Sequence, residues 1–484
     1  MFKLSTVALA LSLSLLPVLA LAVDTNKLGL PEMGDSSGSL LTIAEEKELG
    51  LEFFRQLHGE LTITQDAEIQ EYIQTIGNKL AANSDTPEYP FHFFVVMEND
   101  VNAFAGPGGY IGVNAGLILM TEEESELASV MAHEIAHVTQ RHLYRSVEAQ
   151  QRLSIPTIAA TLAAIALSTR NAQMGQAALM GIQAGNLQFQ IDFTRAHEEE
   201  ADRFGMETLS RSEFDPRSMP AFFEKLQQST RYYGQGVPEF LRTHPVTASR
   251  ISDTRGRAET YPYKQYPDSL AYQLTKAKIR VLSNTNSAEV RKYFQSKLDQ
   301  GILEQRTVAQ YGLGLVALNM QKYQEAESIF QTLARSYPNQ EQYGAALART
   351  AIDARQYDVG LARYKKLLEK FPSKDALRLE YTEALLKAGK PEQARNVLAS
   401  LEFNTQHLPT YYQLLAQTFA DLHQIGEYHR YLAEFYHSTG KTQQAILQIR
   451  LAKSIKGLSP QLAAILSDRL EFFTHRERER EAAR

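Results

Sequence analysis

Two imidazoles four residues apart, with a carboxylate beside the first, stand at His133-Glu134-Ile135-Ala136-His137. On a helix that spacing puts His133 and His137 one turn apart on a common face, so both rings can converge on one ion. Glu134 falls at the flank of the pair, where a carboxylate can take a proton from a water held there. The chain has 12 His in 484 residues, so the motif is not a by-product of a His-rich composition. The bland alternative is two histidines on a solvent-adjacent helix face.

Two His leave a tetrahedral site incomplete, and a third protein ligand is needed. The chain does not continue into the longer H-E-x-x-H-x-x-G-x-x-H pattern. A carboxylate from a later helix is the other solution, and His197-Glu198-Glu199-Glu200-Ala201-Asp202 offers it. Spacing alone does not choose among the three Glu. Glu198 and Asp202 share a helical face, so one can bind metal while the other accepts a ligand imidazole N–H. The competing reading is an acidic helix start favoured by the macrodipole. Two imidazoles and a carboxylate suit zinc best among divalent cations, one per chain.

These groups need elements to hold them. Thr121 followed by Glu124 reads as a capping box opening a helix, with Leu127, Met131, Ile135 and Val138 as its apolar stripe. Residues 42–84 have a helical period carried by Leu49, Phe53, Phe54 and Leu57, then by Ile69, Tyr72, Ile73, Ile76 and Leu80. Residues 91–97 have strand composition. Two further short strands are expected at 103–105 and 110–113, around Gly106-Pro107-Gly108-Gly109. To about Arg255 the rest reads as helices and loops, so this half is α+β with a small sheet. An extended peptide would add to a sheet edge, and Tyr110, Ile111, Gly112 and Val113 are the expected edge. No oxyanion donor stands out; Arg250 and several Tyr are the polar candidates.

The C-terminal half changes period. Ala326, Gly360 and Ala394 are spaced by 34, as are Phe330 and Tyr364, and Pro338 and Pro372. A small residue, an aromatic four later and a Pro twelve later mark a tetratricopeptide repeat. The small residue lets two helices approach, the aromatic fills the space beside it, and the Pro stops the second helix. The third copy has Gln406 in the Pro position. A fourth copy is expected around Gly440, Ala445 and Ala452, and further helix pairs within 269–298 and 411–437. Stacked pairs make a concave surface for peptides or protein partners. The alternating tail 476–481 is expected to be a solvated helix end.

At the other end, Lys3 precedes an apolar run to Leu21, and Ala20-Leu21-Ala22 fits a small-x-small cleavage site. That is the pattern of a secretory signal peptide cleaved near Ala22, and it predicts export to the periplasm. A second apolar stretch, 155–167, has 13 residues and contains Pro156. A spanning helix needs about 20, so it reads as a buried or interfacial helix, the latter allowing peripheral membrane contact. The chain has no Cys, which excludes disulfides, thiolate ligands and a cysteine nucleophile. Net charge is −6, with no basic excess to neutralise phosphates, so no nucleic-acid partner is expected.

His133-Glu134-Ile135-Ala136-His137, the Glu198-x-x-Ala201-Asp202 segment and Asn102-Ala103-Phe104 before a Gly-rich turn resemble the gluzincin peptidases of the CAAX-prenyl-protease and HtpX type. The resemblance implies an α+β zincin-type metalloprotease domain, mostly helical with a small sheet, followed by an all-α tetratricopeptide-repeat solenoid. It implies Glu134 as general base and His133, His137 and Glu198 as zinc ligands, with Asp202 behind them. In members that are exported and carry repeats, a Leu-x-Thr-His-Pro histidine caps the metal. Leu241-Arg242-Thr243-His244-Pro245 matches, which makes His244 the candidate fourth, regulatory ligand. The same members imply stalled or unfolded outer-membrane proteins as substrates and the β-barrel assembly machinery as partner of the repeats. A repeat-based chaperone whose metal site is capped is the alternative. The expected organisation is a signal peptide at 1–22, a flexible arm at 23–45, a metalloprotease domain at 46–255, a linker with a first helical pair at 256–300, and repeats at 301–484.

Overall fold

A computed structural model describes residues 42–148, 195–232, 238–401 and 408–482. The N-terminal apolar run, most of the arm and the stretch 155–167 lie outside the described residues. Among the described residues no helix is long and apolar enough to cross a membrane.

Helix α1, Ile43–Glu60, opens on a full capping box. Thr42 Oγ1 accepts from Glu45 N, and Glu45 Oε2 accepts from Thr42 N at 2.7 Å. Leu49, Phe53 and Leu57 bury its inner face. Helix α2, Ala67–Ala81, is capped by Asp66 and buries Ile69, Tyr72, Ile73, Ile76 and Leu80. Three strands follow: β1 His92–Val96, β2 Ala103–Ala105 and β3 Tyr110–Asn114. Their order is β1-β3-β2, with β3 parallel to β1 and antiparallel to β2. Gly112 in β3 is paired with both Phe94 and Phe104, and a Cβ there would stand 2.5 Å from the Phe104 ring. This topology corrects the expected substrate edge. Tyr110, Ile111, Gly112 and Val113 lie in the middle strand, bonded on both sides and fully buried, so their ladder groups are already used.

After the short helix α3, Ala115–Met120, comes α4, Glu124–Thr139, which carries the H-E-x-x-H motif. Every residue of α4 from Glu124 to His137 is buried. It is a core helix packed between α2, the sheet and two later helices, α6 (Arg195–Arg211) and α7 (Ser218–Tyr232). Helix α5, His142–Glu148, follows α4 directly.

The expected Thr121 capping box does not form. Thr121 Oγ1 instead bonds Ile118 O at 2.8 Å and meets Tyr272 OH at 2.9 Å, so Thr121 closes α3. Glu124 is drawn elsewhere: its Oε1 accepts from Tyr72 OH at 2.9 Å and Ser269 Oγ at 2.7 Å, and its Oε2 from Ser269 N at 2.8 Å. A carboxylate with three donors beats a reciprocal cap with one.

From Leu270 onward the described residues form six helical hairpins, Leu270–Ser283 with Ser287–Gln300 through Thr442–Lys453 with Pro460–Ala482. Ala326 and Ala394 are fully buried, and at Gly360 a Cβ would stand 2.5 Å from Ile352. Phe330 and Tyr364 fill the adjoining space. Pro338 and Pro372 lie just past helices ending at Ser336 and Lys370. The third copy, without its Pro, has a short second helix, Pro391–Leu398. The tail departs from the expectation. It is helical to Ala482, but Glu477 is buried and bonded by Gln443, and Arg476 pairs with Glu48 of α1.

The solenoid packs back on the first half through α2, which touches helices Leu270–Ser283 and Asp375–Lys387. The buried Lys278 of the first of these meets Asp66 Oδ1 at 2.8 Å and also Glu68. Burial opposes its charge, but the two carboxylates hold its pKa well above the ordinary value. Nearby, burial pushes Glu380 up to about 7. Lys278→Met leaves two carboxylates without their cation and should cost about 3–5 kcal/mol in urea unfolding. Glu380 ionises less readily folded than unfolded, so its contribution is present below pH 4.5 and lost as pH rises through about 7. Parent stability should therefore fall relative to Glu380→Gln across that window, measured as denaturation midpoints against pH.

Candidate metal centre

Four elements converge on one buried point. α4 supplies His133, Glu134 and His137, and α6 supplies Glu198 and Asp202. The short helix α8, Glu239–Thr243, ends where His244 N bonds Phe240 O, and α9, Ala248–Ala258, supplies Arg250. All seven side chains are at most 2% exposed.

Ligand atoms of His133, His137, Glu198 and His244 lie within 4.8 Å of one another. His133 Nε2 is 3.0 Å from His137 Nε2 and 3.4 Å from His244 Nδ1. Glu198 Oε1 is 3.4 Å from His137 Nε2 and 3.0 Å from His244 Nδ1, and its Oε2 is 3.4 Å from His133 Nε2. Donors about 2.0–2.1 Å from a common tetrahedral centre stand about 3.3 Å apart, so this set fits a single cation of zinc's size. Three imidazoles and one carboxylate are also the donor chemistry such an ion takes. Glu134 stands outside the ligand set. Its Oε1 is 3.5 Å from His244 Nε2 and has no hydrogen-bond partner.

Charge is balanced within the cluster. Burial opposes the Glu198 carboxylate, but His244, His133 and His137 overcome it and hold the pKa well below the usual range. Asp202 is lowered against burial by His133 and Arg250. Burial also opposes charge on His133, yet Asp202 and Glu198 lift its pKa to about 9. Burial, with His133 and His244 nearby, outweighs Glu198 at His137, which is pushed well down. Burial raises Glu134, with His244 and His133 pulling the other way.

The structure thus brings His133, His137, Glu198 and His244 together, with Glu134 against them. It places Asp202 Oδ1 3.0 Å from His133 Nδ1, on the side of the ring opposite Nε2. Arg250, offered from sequence as an oxyanion donor, is committed elsewhere. Nε and Nη2 donate to Asp202 at 2.8 and 2.7 Å, and Nη1 meets Pro245 O at 2.9 Å and Glu198 Oε2 at 2.7 Å. The sequence reading did not single out His142. Its Nδ1 lies 2.9 Å from His137 Nδ1 and its Nε2 3.1 Å from Glu200 Oε2. No helical period links positions 137 and 142, because the chain turns between them.

Residues 67–258 match the model of peptidase family M48, and residues 351–418 match a tetratricopeptide-repeat model. The chain is 36% identical to the Beta-barrel assembly-enhancing protease of Escherichia coli strain K12, covering 90% of this chain and 89% of that one. It is 35% identical to the protein of the same name from Yersinia pestis, covering 86% of each. Metalloprotease LoiP of Escherichia coli is 29% identical over half of this chain and 95% of its own length. The chain therefore belongs to peptidase family M48, as a metallopeptidase fold with tetratricopeptide repeats appended.

Arg250→Met should destabilise the protein by about 3–5 kcal/mol, because Glu198 and Asp202 lose a shared buried cation. Adding Asp202→Asn should cost less than the sum of the single changes, as expected of partners in one network. A double-mutant cycle in urea reads this directly.

Proposed function

We propose that this chain is a periplasmic zinc endopeptidase that degrades misfolded or stalled outer-membrane β-barrel proteins and also assists their assembly. The observation that carries the reading is Glu134 beside a buried set of three imidazoles and one carboxylate. His133, His137 and Glu198 would hold the ion, and His244 would sit in the fourth position. When bound, zinc supplies Lewis-acid polarisation of the scissile carbonyl and lowers the pKa of an attacking water. Glu134 takes the proton of that water and passes it to the leaving amine nitrogen. Asp202 keeps the His133 ring turned toward the cluster, with its hydrogen on Nδ1.

An extended substrate would add to β2, whose only strand partner among the described residues is β3. β2 packs on α4, the helix that carries Glu134, so a strand added there would run past the base. Export through the N-terminal signal peptide, and contact of the repeats with the assembly machinery, follow the sequence pattern and the names of the E. coli and Yersinia relatives. The fit of His244 into the ligand set favours a restrained enzyme, with chaperone-like holding by the repeats while the site is capped.

The test uses purified mature chain and an unfolded outer-membrane protein. Glu134→Gln should keep one zinc per chain and lose about 10²–10⁴-fold in cleavage rate. Retained cleavage would overturn the peptidase assignment. His244→Ala should cleave faster than the parent, and removal of zinc by a chelator should stop both. Bound zinc without cleavage by any variant would favour the chaperone alternative.

A further inference from the structure

His137 can offer Nε2 to a metal only if its ring hydrogen sits on Nδ1. That Nδ1 lies 2.9 Å from His142 Nδ1, and two ring nitrogens at this distance need one donor and one acceptor. With His137 donating, His142 must accept at Nδ1 and carry its own hydrogen on Nε2. His142 Nε2 is 3.1 Å from Glu200 Oε2, an acceptor only, and the same oxygen accepts from Arg145 Nη1 at 2.9 Å. A single tautomer of each ring therefore satisfies every link from His137 to Arg145.

The backbone is shaped to make this contact. α4 ends at Thr139, and Arg141 takes φ 54, a left-handed conformation unusual for a residue with a Cβ. The turn folds the first residue of α5 back under the last turn of α4. The Arg141 guanidinium is tied to Glu46 and lies 4.9 Å from the centre of the Tyr144 ring, which holds the turn closed. His197 stacks on His142 with ring centres 4.4 Å apart and planes 17° from parallel, fixing the plane of the relay ring.

We infer that His142, backed by Glu200, is the positioning residue for the metal ligand His137, fixing its tautomer and ring orientation through an imidazole-to-carboxylate relay. The inference rests on the metal-site reading and adds residues that the ligand set does not contain. It makes the two imidazole ligands of α4 unequal. His133 Nδ1 faces the carboxylate of Asp202 at 3.0 Å, itself clamped by Arg250, whereas His137 Nδ1 faces another imidazole.

The test is zinc affinity of the full chain by competition with a chromophoric chelator, with thermal unfolding of the zinc-free protein alongside. His142→Leu should weaken zinc binding by about 10–100-fold, the usual effect of losing a group behind a ligand. His142→Gln should recover most of that loss, because its carboxamide can accept from His137 and donate to Glu200. Glu200→Ala, at a partly exposed position where folding is safe, should weaken binding in the same direction by less. Unchanged affinity in His142→Leu would overturn the inference. So would equal losses in the Leu and Gln variants, since that marks a packing role. A parent chain that holds no zinc would overturn the metal reading itself, a result distinguishable from either.

Discussion

Ionised groups cannot stay dry alone, and this fold keeps a dense set of them out of water at its centre. Glu198, Asp202 and Arg250 are each nearly inaccessible, and each is tolerable only because the groups around it are in place. An unpaired charge here costs several kcal/mol, more than most apolar contacts return. Three stretches far apart in the chain, 133–137, 198–202 and 244–250, must therefore dock in one register. The apolar lining of α4, with Leu127, Met131 and Ile135 fully buried, supplies the burial that makes this docking affordable.

A second buried charge group joins the halves. Asp66 and Glu68 at the start of α2 meet Lys278 on the first solenoid hairpin, and Lys374 reaches Glu71 from further along. The solenoid is thus more than an appended tail. It contributes cations to carboxylates on the helix lying against α4. Ion pairs at such a contact fix register more than they add net stability.

Much of this was legible in the sequence, and the misses share a cause. The H-E-x-x-H pair, the carboxylate four residues before Asp202 and the 34-residue period are local patterns, and their elements appear where the period put them. The three strands fall where composition placed them, but composition carries no information on strand order. Tyr110 to Val113 therefore looked like an edge and is the centre. Thr121 and Glu124 satisfy a local cap rule, yet Glu124 is claimed by Tyr72 and Ser269, neither adjacent in sequence. Arg250 and His142 were invisible as supports for the same reason. Their partners are brought by tertiary docking, and one of them depends on a left-handed turn at Arg141 that no residue preference announces. The signal run and the stretch 155–167 remain expectations from pattern.

The anchor at Glu124 gives the molecule a mechanical property. Its carboxylate holds both Tyr72 and the first capping residue of the solenoid, while its backbone N–H holds Asp268. Glu124 is also the first residue of α4, and His133 lies about 14 Å further along that rod at 1.5 Å per residue. A hydrogen-bonded helix is stiff along its axis. A displacement of Asp268 and Ser269 is therefore felt at the near end of the rod that carries both α4 imidazoles.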